Sequence, residues 1–266
     1  MVGNNEIEDF PVKTYMKEFL PDGLPEKIYK FASISENTLK ALREGYLWYS
    51  SPSSFNDPYD CYRHLLKFEP SKDDILAFVT KTTHLKGRAL ELEIEYFLAN
   101  PGFLPEAQFS NLPDTINEQG ICCFTLNYKN TLMWSHYAKN HSGICMVFEP
   151  RKDIQSFFIC KVRYAKEFIP VNYYEQNHIG LMFLIVTKSD DWAYECEYRS
   201  INPNHGAVAF RKNALVEIIF GCKVRQEDVY SIVDTLESSG YKGIKYTQAY
   251  MESNSFKLGF KQFPLL

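Results

Sequence analysis

The chain reads as one mixed α+β domain carrying a helical insertion. Three observations predict this class. Apolar residues make up 45% and charged residues 23% of the 266 positions, the balance of an ordinary globular protein. Short strand-like runs bounded by turn residues are interleaved with segments of helical period. No internal repeat, low-complexity tract or linker cuts the chain in two, so the expected layout is an N-terminal arm over 1–26, one domain over 27–266, and the insertion at about 71–117 within it.

The elements follow in order. Residues 1–26 are punctuated by Pro11, Pro21 and Pro25, the pattern of an arm, and Lys27 to Phe31 is a short strand. Ser35 caps a helix with Leu39 and Leu42 on its inner face, and Gly45 ends it. Tyr46 to Ser50 is a second strand that runs into the dense turn Ser51 to Pro58. Residues 71–99 are helical, begun by a Ser71 cap with Asp73 and Asp74 in the first turn, and Pro101 to Asn117 is loop-like. Ile121 to Leu126 is an apolar strand, Thr131 to Lys139 a short helix, and Gly143 to Phe148 and Phe157 to Val162 further extended segments. Ile179, Met182, Phe183 and Val186 have helical spacing and lead into Lys188. Later come strands at Val208 to Phe210 and Leu215 to Phe220, then a helix with Val229, Ile232, Val233 and Leu236 inward. Gly243 to Tyr246 and Phe256 to Phe260 are the last strands.

Charge and composition narrow the function. A net charge of −4 argues against broad, non-specific phosphate binding. The start of the chain, with Asn4, Glu6, Glu8 and Asp9, does not read as a signal peptide. No apolar run approaches the ~18 residues of a membrane span. Seven irregularly spaced cysteines without a CxxC pair read as reduced thiols of a cytoplasmic protein. Cys122, Cys123, His136, His141 and Cys145 invite a metal or thiol-nucleophile reading. Adjacent cysteines on a strand point to opposite faces, however, so no metal is expected. The phosphate-binding, dinucleotide and serine-hydrolase glycine motifs are missing.

The stretch richest in chemistry is Trp192 to Arg199, just after Lys188. As a strand it turns Glu195, Glu197 and Arg199 to one face and Tyr194, Cys196 and Tyr198 to the other. Two carboxylates ~6–7 Å apart beside a guanidinium form half of an active site, or else the solvated face of an amphipathic strand. Two further segments are candidates to join them: Tyr29-Lys30-Phe31, and Trp48 to Ser51 with Phe55-Asn56-Asp57-Pro58. For Asn56 and Asp57 the alternative role is turn formation. Trp134 and His136 belong to a packed helix that also stands to line a cleft.

Taken together, Tyr29-Lys30-Phe31, Leu47 to Pro52, Phe55 to Pro58, Met133 to Ala138, Ser142 to Cys145 and Lys188 with Trp192 to Arg199 resemble a bacterial family of unknown function, domain family 2971, over roughly residues 27–221. The chain also has a more distant resemblance to ADP-ribosyltransferase-like folds of the DNA-modifying toxin type. Ile28-Tyr29-Lys30 resembles their first strand, Tyr49 to Pro52 their aromatic strand, and Glu195-x-Glu197 their late acidic strand. Lys30 stands where many members carry His or Arg, and the insertion is large. The resemblance implies a split, mostly antiparallel sheet. It implies an NAD-dependent ADP-ribosyltransferase or NAD glycohydrolase of a toxin or phage-defence type, with NAD as substrate and a neutralising partner protein. In that scheme Glu197 stabilises the oxocarbenium-like ribose and Glu195 handles the acceptor nucleophile. Lys30 holds pyrophosphate or ribose oxygens and Tyr49 stacks on nicotinamide, while Tyr29, Ser50, Asn56, Trp134, His136, Lys188 and Arg199 complete the NAD site. The competing class is a non-catalytic ligand-binding or interaction module on the same scaffold.

Overall fold

The computed structural model describes residues 12–104, 111–167, 169–176 and 179–263. They form a mixed α+β structure that gathers into two compact units. The larger comprises described residues of 12–51, 120–162 and 191–263. Its elements are α1 (Val12–Phe19), β1 (Ile28–Ala32), α2 (Glu36–Glu44), β2 (Tyr46–Tyr49), β3 (Gly120–Thr125), α3 (Thr131–Tyr137), β4 (Ile144–Phe148) and β5 (Ile159–Lys161). They continue with β6 (Glu197–Asn202), β7 (Gly206–Ala209), β8 (Leu215–Phe220), α4 (Gln226–Ser238), β9 (Lys245–Met251) and β10 (Leu258–Gln262).

Eight strands form one sheet in the order β10-β9-β8-β4-β1-β3-β6-β5, in which only β8 and β9 run parallel. β2 and β7 pair as a separate ribbon. The parallel pair is the one joined through a helix, α4, as a crossover requires. Alternation along each strand gives the sheet two apolar faces. Ile28, Phe124, Met146, Tyr198 and Ile218 pack with Leu42 of α2 and with Val229, Ile232 and Leu236 of α4. On the opposite face Phe31, Cys145, Val147 and Ile219 pack with Met133 and Trp134 of α3.

Local chemistry explains the ends of the elements. Ser35 Oγ accepts the Thr38 N–H at the start of α2, and Gly45 closes it in the left-handed region at φ 75°. Asn130 caps α3 by accepting the Leu132 N–H at 2.8 Å. After α3 the chain turns through Lys139, Asn140 and His141, all at positive φ. That turn is pinned to the end of β8, where the Gly221 N–H meets the Gly143 carbonyl at 2.9 Å. A methyl group at Gly221 would overlap the His141 carbonyl, so glycine is required by the closeness of the two backbones. The expected arm contains α1, whose Phe19 is fully buried and whose Tyr15 stacks on Phe158; residues 1–11 of it lie outside the described residues.

The smaller unit comprises described residues of 52–119 and 163–190. Helices Lys72–Thr82 and Arg88–Ala99 pack around Ile75, Val79 and Leu104, and Ser71 with Asp74 forms a full capping box. The stretch expected as a loop over 101–117 instead holds a helix at Leu112–Glu118, with Pro113 in its first turn where a missing N–H is harmless; residues 105–110 lie outside the described residues. No helix among the described residues is long and apolar enough to cross a membrane.

We expect Gly221→Ala to cost roughly 1–3 kcal/mol by forcing the turn off β8. A lowered urea midpoint checks this, and an unchanged one would mean that the turn shifts freely.

Candidate active site around the acids at the start of β6

The strand expected from Trp192 to Arg199 begins only at Glu197. Residues Asp190–Glu195 form a 3-10 turn, and Cys196 takes a left-handed backbone at φ 46°. This breaks the alternation, so Glu195 is not on the strand and its side chain is placed independently of Glu197. Nor do the three charged groups form a solvated face. Glu195 and Glu197 are each 3% exposed and Arg199 is fully buried.

Each acid has its own holder. Arg199 Nε donates to Glu197 Oε1 at 2.8 Å and Nη2 to Oε2 at 3.3 Å, a two-pronged contact between residues two apart on β6. Cys123, opposite Arg199 on the neighbouring strand, lies on the same face as this pair. Glu195 Oε1 accepts the Tyr137 hydroxyl at 2.6 Å, its carbonyl accepts the Thr125 hydroxyl, and Asn130 Nδ2 donates to the Tyr194 carbonyl at 3.0 Å. Burial, the bond to Glu195 and the charges of both glutamates push the Tyr137 phenol well above its usual range. Burial first, and Glu197 second, push the Cys123 thiol well up, which disfavours the thiolate a nucleophile needs. His136 is solvent exposed, which leaves no Cys123–His136 dyad. No group of His, Cys, Asp or Glu among the described residues is arranged to hold a metal ion.

Strand register decides which expected residues share this face. Tyr29 pairs with Thr125, and Thr125 with Glu197. Opposed residues on neighbouring strands point the same way, so Tyr29 and Glu197 share a face, two strands or roughly 10 Å apart. Tyr29 stacks on Tyr128 with ring centroids 4.8 Å apart. Lys30, one residue on, therefore points to the opposite face. There its Nζ donates to the Cys123 carbonyl at 3.3 Å and lies over the Phe124 ring.

Tyr49, Ser50 and Trp134 also belong to the larger unit. Tyr49 lies in the core beneath the sheet, its hydroxyl bonded to Ser200 Oγ at 2.9 Å and the Ser156 carbonyl at 3.1 Å, and does not offer a ring to a ligand. Ser50 is a backbone partner of Ile121. Trp134 is fully buried against Phe31, with its indole N–H on the Tyr128 carbonyl. Asn56 and Lys188 belong to the smaller unit. Asn56 is exposed there, next to Asp57, whose Oδ1 caps the Tyr59 N–H, and the Lys188 ammonium lies 3.9 Å from Asp60 with both side chains buried. Tyr137, Thr125 and Asn130 were not singled out by the sequence, and Cys123 was considered only as a metal ligand or nucleophile. For Tyr137 the available signal was its place at the end of a capped helix, an aromatic whose hydroxyl requires a partner when half-buried.

Residues 133–200 match the model of a family described as proteins of unknown function (DUF2971). That span takes in Tyr137, both acids and Arg199. No curated protein and no solved structure matches the chain.

Two outcomes follow. Arg199→Met removes the two-pronged contact from a buried carboxylate and should cost roughly 3–5 kcal/mol, most of it recovered in the double variant with Glu197→Gln, as read from urea midpoints. Equal stability of the two variants would deny the coupling. Burial and then Tyr128 raise the Tyr29 phenol from 10.0 to about 12, so the unfolded chain loses this proton first. The stabilisation is complete below pH 10 and fades as pH rises toward about 12. Between these limits Tyr29→Phe should lose less stability than the parent in chemical denaturation; parallel losses would contradict the assignment.

Proposed function

We propose that the larger unit cleaves the nicotinamide–ribose bond of NAD and passes ADP-ribose to an acceptor or to water. The observation that carries this reading is the gathering of two separately held carboxylates, Glu195 and Glu197, with Arg199 and Tyr137, on the face that also bears the stacked Tyr29 and Tyr128. Loss of nicotinamide leaves an oxocarbenium-like ribose, as in glycoside cleavage. Carboxylates outnumber the guanidinium in this buried set, and a fixed anionic group in a low-dielectric site lowers the energy of such a cation far more than it would in water.

In this reading Glu197 faces the ribose and Arg199 positions it. Glu195 receives the acceptor's proton. Tyr29 with Tyr128 takes the ring-stacking role first expected of Tyr49, and Lys30 has none, because it lies on the other face. A toxin or phage-defence setting and a neutralising partner protein come with the resemblance to ADP-ribosyltransferase-like folds and are proposed on that basis alone, and a cytoplasmic setting is proposed from the unpaired pattern of the cysteines.

One observation favours a second reading. With 3% exposure at Glu197 and none at Arg199, the pair also suits a purely structural ion pair in a non-catalytic ligand-binding module.

Glu197→Asp keeps the charge but shortens its reach. We expect it to slow nicotinamide release by about 10²-fold while millimolar NAD still raises the unfolding temperature. Turnover equal to the parent would remove Glu197 from the chemistry. A parent that shows neither turnover nor a thermal shift with NAD would favour the module.

A further inference from the structure

We propose that Tyr137 is a positioning residue for the acceptor half of the reaction, holding Glu195 where the incoming nucleophile delivers its proton. This rests on the reading above and assigns the two acids to separable steps. Glu197 is set by the strand itself, since its place in the ladder with Thr125 and its contact with Arg199 both belong to β6. Glu195 has no place in that ladder. Its backbone is held from β3 by the Thr125 hydroxyl, and that of its neighbour Tyr194 from the cap of α3 by Asn130. Of these contacts, the one that grips the carboxylate is Tyr137, the last residue of α3. At 2.6 Å this is a short, charge-assisted bond whose direction favours one orientation of the Glu195 carboxylate.

The step balances without a further reactant. The C1′–N bond breaks with its electron pair going to nicotinamide, which leaves neutral. The acceptor oxygen forms a bond to C1′ and its proton passes to Glu195. Tyr137 keeps its own proton throughout, because burial and the two glutamates hold its phenol well above the ordinary range. An acceptor that must be held and deprotonated therefore depends on Tyr137, whereas free water reaches an oxocarbenium-like ribose without being held. The acceptor class that fits is a hydroxyl-bearing group able to donate to a fixed carboxylate.

The test uses the full chain with NAD and molar methanol as the probe acceptor, separating methyl ADP-ribose from ADP-ribose. Tyr137→Phe should lower the methyl product's share about tenfold, the scale of one hydrogen bond to a charged group, with KM for NAD within about twofold of the parent. An unchanged product ratio would overturn the inference while leaving nicotinamide release, and so the underlying reading, standing. A second measurement does not depend on turnover. In an ultraviolet titration, Glu195→Gln should bring one tyrosine back toward the ordinary range. A titration identical to the parent's would deny the Tyr137–Glu195 coupling even in an inactive protein. A parent that releases no nicotinamide would overturn both the reading and the role built on it.

Discussion

The row Tyr29–Thr125–Glu197, running across β1, β3 and β6, is the constraint on which the site depends. Side chains alternate along a strand with period two, so this one register assigns every neighbouring residue to a face. It puts Tyr29, Cys123, Thr125, Glu197 and Arg199 above the sheet with α3, and Lys30, Phe124, Tyr198 and Ser200 below it with α2 and α4. A slip of one residue between β3 and β6 would bury Tyr198 among the acids and drive Glu197 into an apolar core. The cost of an uncompensated carboxylate there makes the register strongly specified.

The upper face then has to accommodate charge. Arg199 donates to Glu197, while Tyr137 and Thr125 donate to the carboxylate and carbonyl of Glu195. Each donor comes from an element that is itself anchored: α3 is capped by Asn130 and pinned beyond its end where Gly143 meets Gly221. The anchorage of α3 thus reaches the acids through two residues of the same helix and its cap. Rigidity at the glycine contact and geometry at Glu195 are parts of one arrangement.

Several local features were legible in the sequence because they depend on near neighbours. Ser35 and Gly45 mark the ends of α2, Ser71 with Asp74 starts a helix of the smaller unit, and the apolar period from Val229 to Leu236 describes α4. The closeness of two acids and an arginine from Glu195 to Arg199 was also legible, although the sequence allowed a solvated face equally well and the structure buries all three. The error at Glu195 has a definite cause: alternation assumes an unbroken strand, and Cys196 in a left-handed conformation is rare for a side chain other than glycine. Lys30 and Tyr49 failed for a different reason. Their strands were expected correctly, but which face is which depends on partners far along the chain, 93 residues away for Lys30 and 151 for Tyr49.

By itself, then, the sequence determined the mixed α+β class, most of the strands and helices, and the segment holding the acids, because periodicity, capping and turn chemistry act over a few residues. Only the tertiary structure decided that Glu197 is clamped by Arg199, that Glu195 answers to Tyr137, and that Tyr29 rather than Lys30 or Tyr49 shares their face. Those outcomes rest on strand register and on a helix crossing the sheet, and both are set by long-range pairing that no local pattern encodes.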